Sequence, residues 1–260
     1  MEIERALAEK RIDVAVHSLK DLPTIQPPGL CLLVPGPRED ARDVLISRHP
    51  CSLDATPPER IGTCSLRRTA QIRALFPQAE ILPLRGNVDT RLRKLEAGEY
   101  DAIILAVAGL LRLGIPADLA ARMTYLSFEQ VLPAPGQGAL GLEVRNEPEL
   151  LELLSPLNDH AAQATTSAER VFMRRLGAGC YLPVAAYATI ANDELTLTGL
   201  VASLDGCERV HVSRSIPWMP GSRFEHAEQL GIELAEEALE RGAEAIIATL
   251  DSIVREQQHV

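Results

Sequence analysis

The chain has 260 residues and is acidic, with 26 lysines and arginines against 36 aspartates and glutamates, and only 3% of its residues are aromatic. This composition argues against nucleic-acid binding, five cysteines without a CxxC pair argue against disulfides or a metal site, and no apolar run is long enough to span a membrane. We therefore expect two or three domains of a cytoplasmic protein that binds neither nucleic acid, nor a membrane, nor a metal.

The first segment predicts a helix and two short strands. MEIERALAEKR has the charge pattern of an amphipathic helix and lacks the apolar core of a signal peptide. Ile12–His17 has the composition of a buried strand, which the polar turn SLKDLP ends. Leu30–Val34 is a second strand, and Pro35-Gly36-Pro37 then indicates a hinge.

The next segment alternates strands with helices, which predicts a mainly parallel α/β sheet. A second break, LPAPGQG, precedes a strand at Ala139–Arg145, so we expect the chain to leave a first domain, build a second and return. The expected strands are Val44–Ser47, Arg60–Thr63, Glu80–Leu84 and Ala102–Val107, and the expected helices are Leu66–Leu75, Val88–Ala97 (capped by Asn87) and Ala108–Leu113.

The remainder predicts a small α+β domain with an antiparallel three-stranded sheet. Its expected elements are a helix at Ala161–Leu176, strands at Val184–Ile190, Glu194–Ala202 and Arg209–Ile216, and a helix at Ser222–Arg241. The predicted domains are residues 1–36 with 134–156, residues 40–131, and residues 160–260.

Positive charge is concentrated between Ile61 and Lys94. This window holds seven basic and two acidic residues, a local charge of +5 in an acidic chain. Guanidinium groups match carboxylate or phosphate oxygens two at a time. The window therefore predicts an anion site, although a capped helix with exposed arginines would explain part of the pattern equally well.

Two strand-to-helix turns in this window place arginines near helix N-termini, where anions are favoured. Arg67 and Arg68 follow the turn GTCS, and Arg91 lies one helical turn beyond LRGN. In a parallel sheet both turns lie along one edge, so we expect them to converge on one crevice. Asp21 follows an earlier strand in the same way and could stabilise a cation, although it could equally be an ordinary turn residue.

Cys180 lies in the glycine-rich stretch LGAGCYLP directly after a predicted helix. A loop thiol near a helix terminus can be reactive if its surroundings favour the thiolate, whereas a small buried cysteine would be inert. His17, at a strand end, we interpret as structural.

Six long segments in register resemble the porphobilinogen deaminase family: VAVHSLKDLP, PREDARDVLIS, IGTCSLRRTAQI, LRGNVDTRLRKLEAGEYDAIILAVAGLLRLG, LPAPGQGALGLEVR and AERVFMRRLGAGCYLPVAAYA. The resemblance implies an α/β protein with two domains similar to type II periplasmic binding proteins and a small C-terminal α+β domain. It also implies a monomer.

The resemblance implies a dipyrromethane cofactor, built from two substrate units and attached through a thioether to Cys180, and a catalytic aspartate at Asp21. It further implies that the cofactor contacts Lys20, Ser65, Arg67, Arg68, Arg85 and Gly86, and that the substrate contacts Thr63, Arg91 and Gln137.

The implied reaction joins four porphobilinogen molecules into hydroxymethylbilane with release of ammonia, a transferase step of tetrapyrrole biosynthesis. The alternative is a non-catalytic two-lobed protein that senses an anionic metabolite. Such a sensor would tolerate Cys180→Ser, whereas the synthase would lose its cofactor and its activity.

The sequence departs from the family at three places. Cys64 stands where serine is usual, and Ala178 replaces the first glycine of Gly-Gly-Cys. The family's opening strand and helix, with its Arg-x-Ser-x-Leu-Ala and Lys-Gly-Leu-Phe segments, have no counterpart. We interpret this as a start codon placed too far downstream, or else as a truncated and inactive paralogue.

Overall fold

A computed structural model describes residues 2–49, 57–177 and 182–250. The strands are β1 (Val14–Ser18), β2 (Leu30–Leu33), β3 (Asp43–Ser47), β4 (Arg60–Gly62), β5 (Glu80–Leu82), β6 (Ala102–Ala106), β7 (Met123–Tyr125), β8 (Leu140–Arg145), β9 (Val184–Ala191), β10 (Glu194–Ala202) and β11 (Arg209–Pro217). The helices are α1 (Glu2–Ala8), α2 (Leu66–Leu75), α3 (Val88–Glu96), α4 (Val107–Leu113), α5 (Ala117–Ala120), α6 (Pro148–Leu154), α7 (His160–Arg175) and α8 (Phe224–Ala238), which continues through Leu239–Ala243 and 244–250.

The first sheet has the strand order β1-β8-β2, and β8 is antiparallel to both of its neighbours. Because β8 follows the whole second sheet in sequence, the chain leaves the first sheet after β2 and returns to complete it. The expected departure and return are therefore confirmed, while the domain boundaries stay a prediction.

The second sheet has the order β5-β4-β6-β3-β7. β4 is parallel to β5 and β6, whereas β3 is antiparallel to β6 and β7, so four strands share one direction and β3 runs against them. The expectation of a mainly parallel sheet missed this reversal. The chain passes from β2 of the first sheet to β3 of the second without an intervening helix. It therefore lacks the helical crossover that keeps successive strands parallel.

Strand β3 is buried on both faces and divides the core of this unit. Val44 and Ile46 pack with one apolar cluster, and Leu45 packs with the other, as the two-residue alternation of a strand requires.

The third sheet has the order β11-β10-β9 and is antiparallel throughout, which confirms the predicted C-terminal α+β domain. Helices α7 and α8 pack together and against the sheet. Phe172 of α7 is fully buried there, and its ring lies against Gly199 of β10.

Three elements, α5, β7 and α6, were not predicted. They have four, three and seven residues, too few for a periodic pattern to stand out. Among the described residues, none of the helices combines the length and apolar character that crossing a membrane requires.

We expect Gly199→Ala to destabilise the third domain, because the added Cβ would overlap the Phe172 ring. Overpacking of this kind costs about 1–3 kcal/mol. The only tryptophan, Trp218, is buried in the same core, so its fluorescence in urea reports the loss. Gly109→Ala on α4, where a Cβ would have no neighbour within 4 Å, is the control and should not lower the midpoint, because alanine favours a helix more than glycine does. Equal urea midpoints for all three proteins would contradict the packing described here.

Candidate active site

A cavity of about 750 Å³ lies where the three units meet. The first unit contributes the turn after β1, the second contributes the turns before α2 and α3, and the third contributes the end of α7 and the start of β9. Its polar and charged lining residues are Ser18, Lys20, Asp21, Thr63, Cys64, Ser65, Arg67, Arg68, Asn87, Arg91 and Gln137.

The two arginine-bearing turns are built by helix caps. The Ser65 side chain accepts a hydrogen bond from the Arg68 N–H, and Asn87 accepts one from the Thr90 N–H at 2.9 Å. Gly86 has a φ of 122°, and a Cβ there would lie 2.7 Å from the Thr90 side chain, so only glycine fits. Both turns face the same cavity, as the sequence predicted.

Arg67 and Arg68 are held by one buried carboxylate, that of Asp43 on β3. Arg67 donates to Asp43 Oδ2 at 2.8 Å, and Arg68 donates to Oδ1 at 2.7 Å. Burial alone would raise the pKa of Asp43, but the two guanidiniums outweigh burial and hold it well below its usual range. Asp43 therefore stays ionised.

Lys20 is linked to the same carboxylate through Gln137. Its Nζ donates to Gln137 Oε1 at 3.3 Å, and Gln137 Nε2 donates to Asp43 Oδ1 at 2.9 Å. Burial, with the nearby Arg68 cation, lowers the pKa of Lys20 to about 8. Lys20 is thus mostly protonated at pH 7 and loses its proton as the pH rises through about 8.

Asp21 is exposed on a short 3-10 turn, and none of the described residues donates a hydrogen bond to its carboxylate. The turn itself is fixed from the third domain. Arg170 of α7 donates to the carbonyls of Leu19, Leu22 and Pro23 at 3.3, 3.1 and 2.6 Å. The main chain that carries Asp21 is therefore held in place, while its carboxylate is available to a ligand.

The structure brings nine of the predicted site residues to this cavity: Lys20, Asp21, Thr63, Ser65, Arg67, Arg68, Gly86, Arg91 and Gln137. Arg85 is exposed and is not among the lining residues, and Cys180 lies outside the described residues. The chemical roles of all eleven stay predictions. His17 lies elsewhere, with its Nε2 3.2 Å from the buried Glu143 carboxylate.

Sequence reasoning missed Asp43 and Arg170. Both stand within the motifs quoted above, but each acts through partners far away in the chain. Each residue gave a local signal. Asp43 is a charged residue at the start of a buried strand, and Arg170 is a charged residue on the buried face of a helix.

Two family models cover most of the chain. The dipyromethane cofactor binding domain of porphobilinogen deaminase matches residues 1–152, and the porphobilinogen deaminase C-terminal domain matches residues 163–240. The chain belongs to the porphobilinogen deaminase family. This family consists of transferases, and the domain named by the first model binds a dipyrromethane.

Curated porphobilinogen deaminases agree with this assignment. The enzyme of Syntrophotalea carbinolica is 48% identical over 96% of this chain and 77% of its own length. That of Roseiflexus castenholzii is 46% identical over 95% of this chain and 79% of its own. That of Deinococcus radiodurans is 48% identical over 95% and 78%, respectively.

Among solved structures, the BvgS VFT2 domain of Bordetella pertussis is 16% identical and covers 60% of this chain and 64% of its own, with a TM-score of 0.38. An amino-acid ABC transporter binding protein gives a TM-score of 0.36 at 16% identity, over 59% of this chain and 66% of its own.

The residues present fit the dipyrromethane of the porphobilinogen deaminase family. Two pyrrole units, each with an acetate and a propionate, bring four carboxylates, and the cavity offers four cations: Lys20, Arg67, Arg68 and Arg91. The Nε atoms of Arg67 and Arg68 are buried without a protein partner among the described residues. Within those residues, no group of three or more histidines, cysteines or acidic side chains could hold a metal.

We expect Arg91→Ala to weaken porphobilinogen binding by roughly 10- to 100-fold, the worth of one charge-assisted hydrogen bond. Arg93→Ala is the matched control, because Arg93 lies on the same helix, is exposed and is not among the residues that line the cavity. Isothermal titration calorimetry measures both. Similar losses in the two variants would contradict a specific contact at Arg91.

We expect porphobilinogen affinity to fall roughly tenfold between pH 7 and pH 9, because Lys20 loses its charge in that window. Lys20→Arg carries a cation that keeps its proton, so its affinity should stay nearly constant over the same range. Calorimetric titrations at several pH values test this. A decline of equal size in Lys20→Arg would assign the titration to another group.

Proposed function

We propose that this chain catalyses the stepwise joining of four porphobilinogen molecules, with release of four ammonia molecules, and the hydrolysis that frees linear hydroxymethylbilane for tetrapyrrole biosynthesis. The observation that carries the proposal is the cavity, which brings four cations together with the Asp21 carboxylate, to which none of the described residues donates a hydrogen bond. Membership of the porphobilinogen deaminase family supports the same reaction.

The cations explain how the substrate is recognised. Each porphobilinogen carries an acetate and a propionate, so every unit added to the product brings two more negative charges. Arg67, Arg68 and Arg91 offer guanidinium N–H groups in fixed directions, and Lys20 adds an ammonium group to the same cavity. The cavity therefore binds and orients carboxylate-bearing pyrroles within an otherwise acidic protein.

Asp21 is the residue that we propose to act in the chemical step. Loss of ammonia from porphobilinogen leaves a positive charge spread over its methylene carbon and ring nitrogen. The Asp21 carboxylate accepts a hydrogen bond from the pyrrole N–H and stabilises that charge. Arg170 contributes by keeping the turn that carries Asp21 in place.

The dipyrromethane, when bound, supplies a free pyrrole α-carbon on which the first unit is added. We infer that Cys180 holds it through a thioether, in contact with Lys20, Ser65, Arg67, Arg68, Arg85 and Gly86. Thr63, Arg91 and Gln137 contact the incoming substrate, whose carboxylates are also attracted by the Lys20, Arg67 and Arg68 cations of the same cavity. We also infer a monomer that works in the cytoplasm without nucleic-acid or membrane partners, on the strength of the family resemblance.

Intact mass of the purified, denatured chain tests this proposal. We expect an excess equal to two linked pyrrole units that is absent from Cys180→Ser, together with porphobilinogen consumption that Asp21→Asn lowers by about 100-fold or more. Cys207→Ser, which changes an exposed thiol of a surface turn, is the control and should keep both the added mass and the activity. An unmodified mass, with binding that survives Cys180→Ser, would favour a sensor of an anionic metabolite.

A further inference from the structure

Asp43 is a fully buried carboxylate that belongs neither to the cavity lining nor to the motif residues with an assigned role. Three side chains donate to it: Arg67 at 2.8 Å, Arg68 at 2.7 Å and Gln137 at 2.9 Å. All three of these side chains line the cavity. Asp43 thus lies behind the site and contacts it at three points.

The bonds continue beyond Asp43 to fixed parts of the backbone. Arg67 also donates to the Leu132 carbonyl at 2.8 Å, and Arg68 donates to the Ile104 carbonyl at 2.9 Å. Gln137 receives Lys20 on its other side. One carboxylate therefore connects β3, α2, the second chain break (LPAPGQG) and the turn that carries Lys20.

Charge explains why Asp43 determines where the Arg67 and Arg68 guanidiniums lie. Arg67 and Arg68 are adjacent in sequence and both almost completely buried, so without a counterion they would repel each other and leave unpaired buried charge. Asp43 neutralises one of the two charges and binds one Nη of each group. The second charge remains available to a ligand in the cavity.

We propose that Asp43 is a positioning residue: its carboxylate fixes the guanidiniums of Arg67 and Arg68 and, through Gln137, the ammonium of Lys20, so that three cations face one bound polycarboxylate. That the ligand is a carboxylate-bearing pyrrole rests on the proposed function. The arrangement of the three cations does not.

If Asp43 served only to pack β3 against α2, the pKa of Lys20 would not depend on the charge of Asp43. The charged groups that act on Lys20 are Arg68, Arg67, Asp43 and Asp21. Among these, Asp43 and Asp21 raise the pKa of Lys20 against burial and the two arginines. The ionisation of Lys20 is therefore a readout that mere packing at Asp43 would not move.

The test compares Asp43→Asn with Asp101→Asn in the full chain. Asp101 is the matched control, because it forms a two-point bridge with Arg60 at 2.8 and 3.2 Å but lies at the surface, away from the cavity. The chain has three lysines, Lys10, Lys20 and Lys94, so reductive methylation with ¹³C-formaldehyde gives few NMR signals. Lys20→Arg assigns the Lys20 signal, and its midpoint is followed by pH titration.

We expect Asp43→Asn to move the Lys20 midpoint below about 8 and to weaken calorimetric porphobilinogen binding by at least about tenfold. Asp101→Asn should change neither quantity. A folded Asp43→Asn chain with an unchanged Lys20 midpoint overturns the proposal. If the wild-type chain fails to bind porphobilinogen, the proposed function fails, while the Lys20 titration still decides the role of Asp43.

Asp43→Glu covers the case in which Asp43→Asn does not fold. The longer side chain keeps the charge but moves the carboxylate, so both guanidiniums must shift. We expect the Lys20 midpoint to stay near its wild-type value while porphobilinogen affinity falls. Unchanged affinity in folded Asp43→Glu would show that the arginines do not depend on where the carboxylate lies, and would overturn the proposal.

Discussion

The carboxylate of Glu169 on α7 holds the three units of the chain together. It is fully buried and accepts two hydrogen bonds from Arg38, at 2.6 and 3.0 Å, just beyond the first chain break. It also accepts the backbone N–H of Gly136 in the second break and of Ala188 on β9, both at 2.7 Å. A buried carboxylate left unpaired is costly. Both chain breaks must therefore stay packed against the third domain. The cavity exists because these segments meet there.

Asp43, behind the cavity lining, is a second buried carboxylate that binds arginines in the same way. Each of the two acids is completely buried, and each organises arginines that belong to other segments. The difference lies in what remains unpaired. At Glu169 one guanidinium meets one carboxylate, whereas at Asp43 two guanidiniums share one carboxylate. The surplus positive charge thus arises at the site, within a chain whose net charge is −10.

The third domain affects the site through hydrogen bonds from α7. Arg170 lies one residue after Glu169 and donates to three carbonyls around the Lys20–Asp21 turn of the first unit. Its two terminal nitrogens reach all three carbonyls: Nη1 donates to those of Leu19 and Leu22, and Nη2 donates to that of Pro23. Any shift of α7 relative to the first unit would therefore move Asp21, so the position of the third domain and the position of the Asp21 carboxylate are mechanically linked.

The sequence by itself determined most of the local elements and the family. Helix α2 and strand β10 have the predicted bounds, because an N-cap serine, helical spacing and strand alternation are signals within a few residues. Only the tertiary structure decided that β3 runs against its neighbours, that Arg91 faces the cavity while Arg85 does not, and that Asp43 and Arg170 organise the site. The roles of Asp43 and Arg170 depend on hydrogen bonds between residues 24 to 151 positions apart, and such pairings follow from how the units pack rather than from any local pattern.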